Sequence, residues 1–144
     1  MTAPYVYYRI SDPRALKRDA SRAVRDLDWH RDLEMIQAFY ARFRDTPVDP
    51  DGFDSTVGAP MAIVMDDAIV CFAIPLSFRE GETEIGGVAT VPEQRNRGCC
   101  KALIAEMAYR ILAGGNAATL TTERDNLPMR AAAEAIGMSE VRQS

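Results

Sequence analysis

The sequence predicts an α/β (α+β) fold, with a mixed central sheet that is antiparallel in its N-terminal part, contains a parallel βαβ unit, and is flanked by helices. Three observations carry this. Met61–Met65 and Ala68–Ile74 are short apolar runs around the polar pair Asp66-Asp67, the pattern of a hairpin. A further run, Thr83–Val91, follows the turn at Arg79-Glu80-Gly81-Glu82 and extends the antiparallel set. From Val88 onward the chain reads strand, helix, strand, ending in Ala117–Thr122, and that order lays its two strands parallel in one sheet.

The elements follow in order. Tyr5–Ile10 is rich in β-branched and aromatic residues and reads as a first strand. Ser11-Asp12-Pro13 supplies capping oxygens and a proline suited to a first helical turn; Leu16, Ala20, Val24 and Leu27 then recur at helical spacing and predict a helix. After the break at Asp28-Trp29-His30, Leu33, Ile36, Tyr40 and Phe43 predict a second helix or a bent continuation. Pro47–Gly52 is turn chemistry throughout. Asp45, Asp49, Asp51 and Asp54 near it read as a solvated loop, the alternative being an acidic mouth for a cationic substrate. Gly86-Gly87 inside the third strand of the antiparallel set marks a bulge or a close backbone approach by a ligand. Gly114-Gly115 ends the central helix, and Pro128–Ile136 is a short alanine-rich helix stopped by Gly137.

Composition narrows the function. At 144 residues, 47% apolar and 26% charged, the chain is expected to be one globular domain spanning 1–144, without repeats or linkers. A net charge of −4 argues against nucleic acid or a membrane surface as a general partner. The N-terminus lacks the charged and apolar regions of a signal peptide, and no run approaches the ~20 apolar residues of a membrane span, so a cytoplasmic location is expected. Cys71, Cys99 and Cys100 have neither disulfide-framework nor zinc-ligand spacing, and no metal is expected.

The most informative stretch is Val88–Leu103. A strand enters a turn carrying Arg95, Arg97 and Gly98, and the turn opens directly into a helix. Unpaired N–H groups in a helix's first turn and the positive end of its dipole form an anion site, and glycine lets backbone approach phosphate closely. Arg95, Arg97 and Lys101 add positive charge in an otherwise acidic protein.

Arg95-x-x-Gly98 in this setting resembles the pyrophosphate loop of the GCN5-related N-acetyltransferase superfamily, whose pattern is Gln/Arg-x-x-Gly-x-Gly/Ala. Glu84-Ile85, Pro92, the Thr119–Thr122 strand, Asn126 and Gly137-Met138 fall in family order, so the C-terminal half matches well and the N-terminal half only in its order of elements. The resemblance implies an acetyl-CoA-dependent N-acetyltransferase acting on a primary amine by direct attack. It implies coenzyme contacts from Val88, Ala89, Thr90 and Val91 along the strand, from Arg95, Asn96, Arg97, Gly98, Cys99, Cys100 and Lys101 at the turn, and from Asn126, for which a helix cap is the other reading. It also implies a splay between Val88–Val91 and Thr119–Thr122 that admits the pantetheine arm, and Glu84 as general base.

Three departures temper this. Cys100 stands at the last motif position, where a helix N-terminus lowers a thiol pKa, although small-residue packing is the better reading. Ala133 replaces the family tyrosine that protonates the departing thiolate. Met138–Ser144 makes at most one short strand where the family supplies two that wall the acceptor pocket, which predicts an open pocket or closure by a homodimer partner. The alternative function is therefore a catalytically inactive acyl-CoA-binding module, and behind it an unrelated βαβ protein holding another phosphate ligand.

Overall fold

Asp66 and Asp67 both take left-handed φ angles, 52° and 62°. A two-residue hairpin turn needs that conformation, and short polar side chains tolerate it. Met61–Met65 (β3) and Ala68–Leu76 (β4) therefore pair antiparallel, and β4 pairs in turn with Glu82–Thr90 (β5). The structure, a computed structural model, describes residues 3–142. Met1, Thr2, Gln143 and Ser144 lie outside the described residues.

The expected irregularity at the glycine pair is present. Ile74 faces Gly86 while Phe72 faces Ala89, so β5 carries one residue more than β4 across this interval. Gly87 absorbs the bulge with φ 58°, and a Cβ on Gly86 would run into the Leu76 side chain.

Beyond β5 the chain crosses through Cys99–Ala113 (α2) to Ala117–Glu123 (β6), which runs parallel to β5 as the βαβ reading requires. Leu127–Ala135 (α3) follows, capped by Asn126. Cys71 lies on the α2 side of β4, and Phe72, one residue on, meets Phe39 and Tyr40 of Leu33–Tyr40 (α1) at ring-centre distances of 5.7 and 5.5 Å. Alternation along the strand thus sets α1 and α2 on opposite faces of the sheet, with the core filling both interfaces.

Two features depart from the sequence reading. Residues 16–24 form no helix. Pro13–Ala15 is a single 3₁₀ turn, and Arg25–Asp26 (β2) is a two-residue strand on the edge of β3. The segment is held by tertiary contacts instead: Lys17 N–H donates to the Ile136 carbonyl, and Ala15 O lies where a Cβ on Gly137 would stand. Asp12 does cap as expected, accepting from Arg14 N–H, but it caps only that short turn.

The other departure is the place of the first strand. The sheet order is β2-β3-β4-β5-β6-β1-β7, with Tyr5–Ile10 (β1) lying between β6 and the short Ser139–Val141 (β7), antiparallel to both. No helix among the described residues is long and apolar enough to cross a membrane.

Candidate functional site

Parallel pairing between β5 and β6 runs from Glu82–Ala117 to Glu84–Thr119 and stops there, although β5 continues to Thr90 and β6 to Glu123. Past Glu84 the strands part, and the edge of β5 that faces β6 keeps its peptide groups free for another partner. A groove of about 700 Å³ opens on the α2 and α3 face of this gap, walled by Val88, Ala89 and Thr90 on one side and by Pro128, Met129 and Ala132 of α3 on the other.

The head of the groove is the arginine turn. Pro92–Gln94 makes a 3₁₀ turn, and Arg95 Nε then donates to the Thr90 carbonyl at 3.1 Å, folding the turn back over the end of β5. Asn96 and Gly98 take φ angles of 63° and 83°, which brings the chain into α2 with Gly98 as its N-cap residue. Gly98 has no side chain to cap the helix, and a Cβ placed on it would meet nothing within 4 Å. The amides of Cys99, Cys100 and Lys101 thus stand at the positive end of a 15-residue helix, in residues that line the groove beside the open space at Gly98.

Most of the residues singled out in the sequence converge on this groove: Val88, Ala89, Thr90, Arg95, Asn96, Gly98, Cys99, Cys100, Lys101 and Asn126 line it. Two do not. Val91 is buried and its N–H donates to the Val70 carbonyl at 2.9 Å, so its backbone is committed to the sheet. Arg97 is exposed beside the groove, and its carbonyl accepts from Arg22 Nη2 at 2.7 Å. Lys101 Nζ pairs with Asp19 at 3.5 Å. Asn126 both lines the groove and caps α3, its Oδ1 accepting from Met129 N–H at 3.3 Å.

The cysteine sulfurs near the groove are packing groups. Burial pushes the Cys100 thiol up to about 12, against the lowering expected of a helix N-terminus, and its sulfur packs 3.8 Å from Met129 Sδ. Cys71 is raised to about 11 by the same cause. Ala133 is fully buried and contributes nothing to the groove, whose one hydroxyl among the described residues is that of Thr90, 3.2 Å from Cys71 Sγ.

On the opposite face of the sheet a second hollow, about 450 Å³, lies under the same gap. Glu82 and Glu84, two residues apart on one strand, project to this face, and Thr121 Oγ1 donates to Glu84 Oε1 at 2.9 Å. Glu82 accepts from the Tyr7 hydroxyl at 2.8 Å and from Arg9 Nε at 3.0 Å. These two contacts hold its carboxyl below the ordinary range, while burial and the Glu82 contact raise the Tyr7 phenol. Tyr5, Tyr7, Phe78 and Arg79 also line it, and none of them stood out in the sequence as a site residue. The signal was present in the alternation of β1, which puts Tyr5, Tyr7 and Arg9 on one face and Val6, Tyr8 and Ile10 on the other. What the sequence lacked was the position of β1.

That position supplies one wall of the hollow. β1 pairs with β6 from Tyr5–Glu123 to Ile10–Ala118 and walls the hollow from within the same chain. Trp29 and His30, at the break before α1, lie away from both the groove and the hollow. Trp29 stacks on Phe53 at 3.7 Å in the core beside α1, and His30 Nε2 lies 2.8 Å from Asp51 on the surface. Among the described residues no cluster of three or more His, Cys, Asp or Glu is arranged to hold a metal.

The profile of the FR47-like protein family matches residues 73–144, half of the chain, including β5, the arginine turn, α2, β6 and α3. No curated protein sequence matches the chain. Among solved structures, a GNAT-family protein from Novosphingobium aromaticivorans superposes with TM-score 0.76 at 20% identity, over 96% of this chain and 61% of its own. The ribosomal-protein-S18-alanine N-acetyltransferase of Escherichia coli gives 0.64 at 19% identity, over 83% of this chain and 79% of its own. AAC(6')-Iy, in complex with the bisubstrate analogue CoA-S-monomethyl-acetylneamine, gives 0.65 at 19% identity, over 85% and 93%. The chain thus spans less than two thirds of the first of these, and about half of two other matched structures, of which it covers 53% and 52%.

Proposed function

The chain belongs to the FR47-like family of GCN5-related N-acetyltransferases, and from this premise we propose that it transfers the acetyl group of acetyl-CoA to a primary amine. The observation that carries the reading is the parting of β5 and β6 beyond Glu84, with an uncapped helix N-terminus at one end of the gap and a carboxylate at the other.

The residues fit acetyl-CoA as a substrate. Amides of Cys99, Cys100 and Lys101 would receive the pyrophosphate, with Arg95 and Lys101 adding charge, and the space above Gly98 leaves room for it. The free edge of β5 at Val88–Thr90 would pair with the amides of the pantetheine arm as an added strand does, and an amide of that edge would polarise the thioester carbonyl.

On the other face Glu84 takes a proton from the acceptor's ammonium, because an ammonium has no lone pair with which to attack. The amine nitrogen then bonds to the carbonyl carbon, the carbon–sulfur bond breaks, and coenzyme A leaves as thiolate. A second proton passes from nitrogen to solvent or to the thiolate. Thr121 orients Glu84 through its hydroxyl, and Ala133 leaves the thiolate to water.

Release of free thiol from acetyl-CoA in the presence of amines tests the reading, with calorimetric titration of acetyl-CoA beside it. Amine-dependent release supports transfer. Binding with no release from any amine favours the inactive acyl-CoA-binding module, the second reading to which the buried Ala133 points. Absence of binding removes both.

A further inference from the structure

The hollow beneath the gap gathers two of the most exposed large apolar side chains of the described residues, Phe78 at 72% and Tyr5 at 57%. Exposed aromatics grouped around a concave surface mark a binding face. The charges there are closely balanced. Glu82 is matched by Arg9 at 3.0 Å and by the Tyr7 hydroxyl, and Arg79 stands over the Tyr7 ring, 5.6 Å from its centre. Glu84 has only the neutral Thr121 hydroxyl as its hydrogen-bond partner among the described residues. The hollow therefore presents one carboxylate without a cation of its own.

The acidic loop does not enlarge this count. Asp49 accepts from the Asp51 amide, Asp54 from the Thr56 amide and hydroxyl, and Asp51 pairs with His30; none of the three lines the hollow. A polyamine or an aminoglycoside brings several ammonium groups, each of which has to find a carboxylate or remain in water. A single ammonium on an apolar body needs one carboxylate and a desolvating surface, and this hollow offers both.

Resting on the acetyltransferase reading, we infer that the acceptor is a monoamine carrying a flat apolar group, its amine at Glu84 and its body against Phe78 and Tyr5. Phe78 and Tyr5 are then specificity-determining residues, and they act by excluding water from the acceptor's apolar part.

The test is thiol release by the full chain with 2-phenylethylamine, ethylamine, spermidine and kanamycin, repeated on Phe78→Ala. Phe78 is largely exposed, so its loss leaves the core intact. The expected result is a kcat/KM for 2-phenylethylamine on the order of tenfold or more above those for spermidine and kanamycin. Its advantage over ethylamine is expected to shrink by about tenfold in Phe78→Ala, through KM. Equal or better use of spermidine or kanamycin, or an advantage over ethylamine that survives Phe78→Ala, overturns the inference and leaves acetyl transfer standing. Acetyl-CoA binding with no release from any of the four amines also overturns it. Failure to bind acetyl-CoA instead removes the acetyltransferase reading, and this inference with it.

Discussion

The Thr121 hydroxyl donates to the Glu84 carboxylate at 2.9 Å, joining β6 to β5 just past the last paired residues, Glu84 and Thr119. The bond fixes one carboxylate at the point where the sheet opens. Glu84→Gln keeps the shape and the acceptor for Thr121 but cannot take a proton at neutral pH. Its kcat is expected to fall by about 10²- to 10⁴-fold, the usual contribution of a positioned base, with acetyl-CoA affinity unaltered in a calorimetric titration. Wild-type turnover in Glu84→Gln would remove Glu84 from the mechanism.

Gly98 sits in a left-handed conformation, φ 83°, at the mouth of the helix. Gly98→Ala puts a methyl group where phosphate is proposed to stand and forces alanine into a region that costs about 1–2 kcal/mol. A modest drop in Tm is expected, together with a loss of acetyl-CoA affinity on the order of tenfold or more. Calorimetry on the folded variant separates the two effects, and unaltered affinity would mean the turn does not hold the coenzyme.

Folding on the α2 face hides the sulfurs. Cys71 and Cys99 are buried, and burial raises the Cys71 and Cys100 thiols to about 11 and about 12. An aromatic disulfide reagent at neutral pH is expected to find no rapidly reacting thiol in the native protein and all three in denaturant. Rapid reaction of Cys100 in the native state would restore it as a nucleophile.

The Glu82 carboxyl is held low by the Tyr7 hydroxyl and by Arg9, and the Tyr7 phenol is held high by burial and by Glu82. A depressed carboxyl contributes stability that is present above the unfolded-state value, about 4.3, and lost as pH falls through the folded one. A raised phenol contributes stability that is present below its unfolded value, about 10, and lost as pH rises through the folded one. Urea midpoints measured across pH are expected to be level between these limits and to fall on both sides. Glu82→Gln is expected to flatten part of the acid limb. An acid limb identical to wild type would show that Glu82 carries none of it.

Those two residues also show what the sequence revealed and what it did not. Local chemistry was legible wherever neighbours in sequence do the work. Asp66-Asp67 turns a hairpin, Gly86-Gly87 takes a bulge, Gly114 stops α2, and Arg95 to Lys101 builds the head of a groove. Long-range pairing was not legible. Leu16, Ala20, Val24 and Leu27 keep a helical period, yet Lys17 N–H finds its acceptor at Ile136, and tertiary docking overrides the period. Tyr7 lies 75 residues from Glu82, and only the insertion of β1 between β6 and β7 brings them together. The groove proposed for the coenzyme was therefore readable from one stretch, whereas the hollow proposed for the acceptor is assembled from distant strands.

A crystal structure of the chain with acetyl-CoA would locate the coenzyme relative to the arginine turn and Glu84. Pyrophosphate oxygens are expected at about 3 Å from the amides of Cys99, Cys100 and Lys101, the pantetheine arm along Val88–Thr90, and the thioester in the gap between β5 and β6, facing Glu84. Acetyl-CoA bound away from the α2 N-terminus, or with its acetyl group turned away from the gap, would contradict this placement.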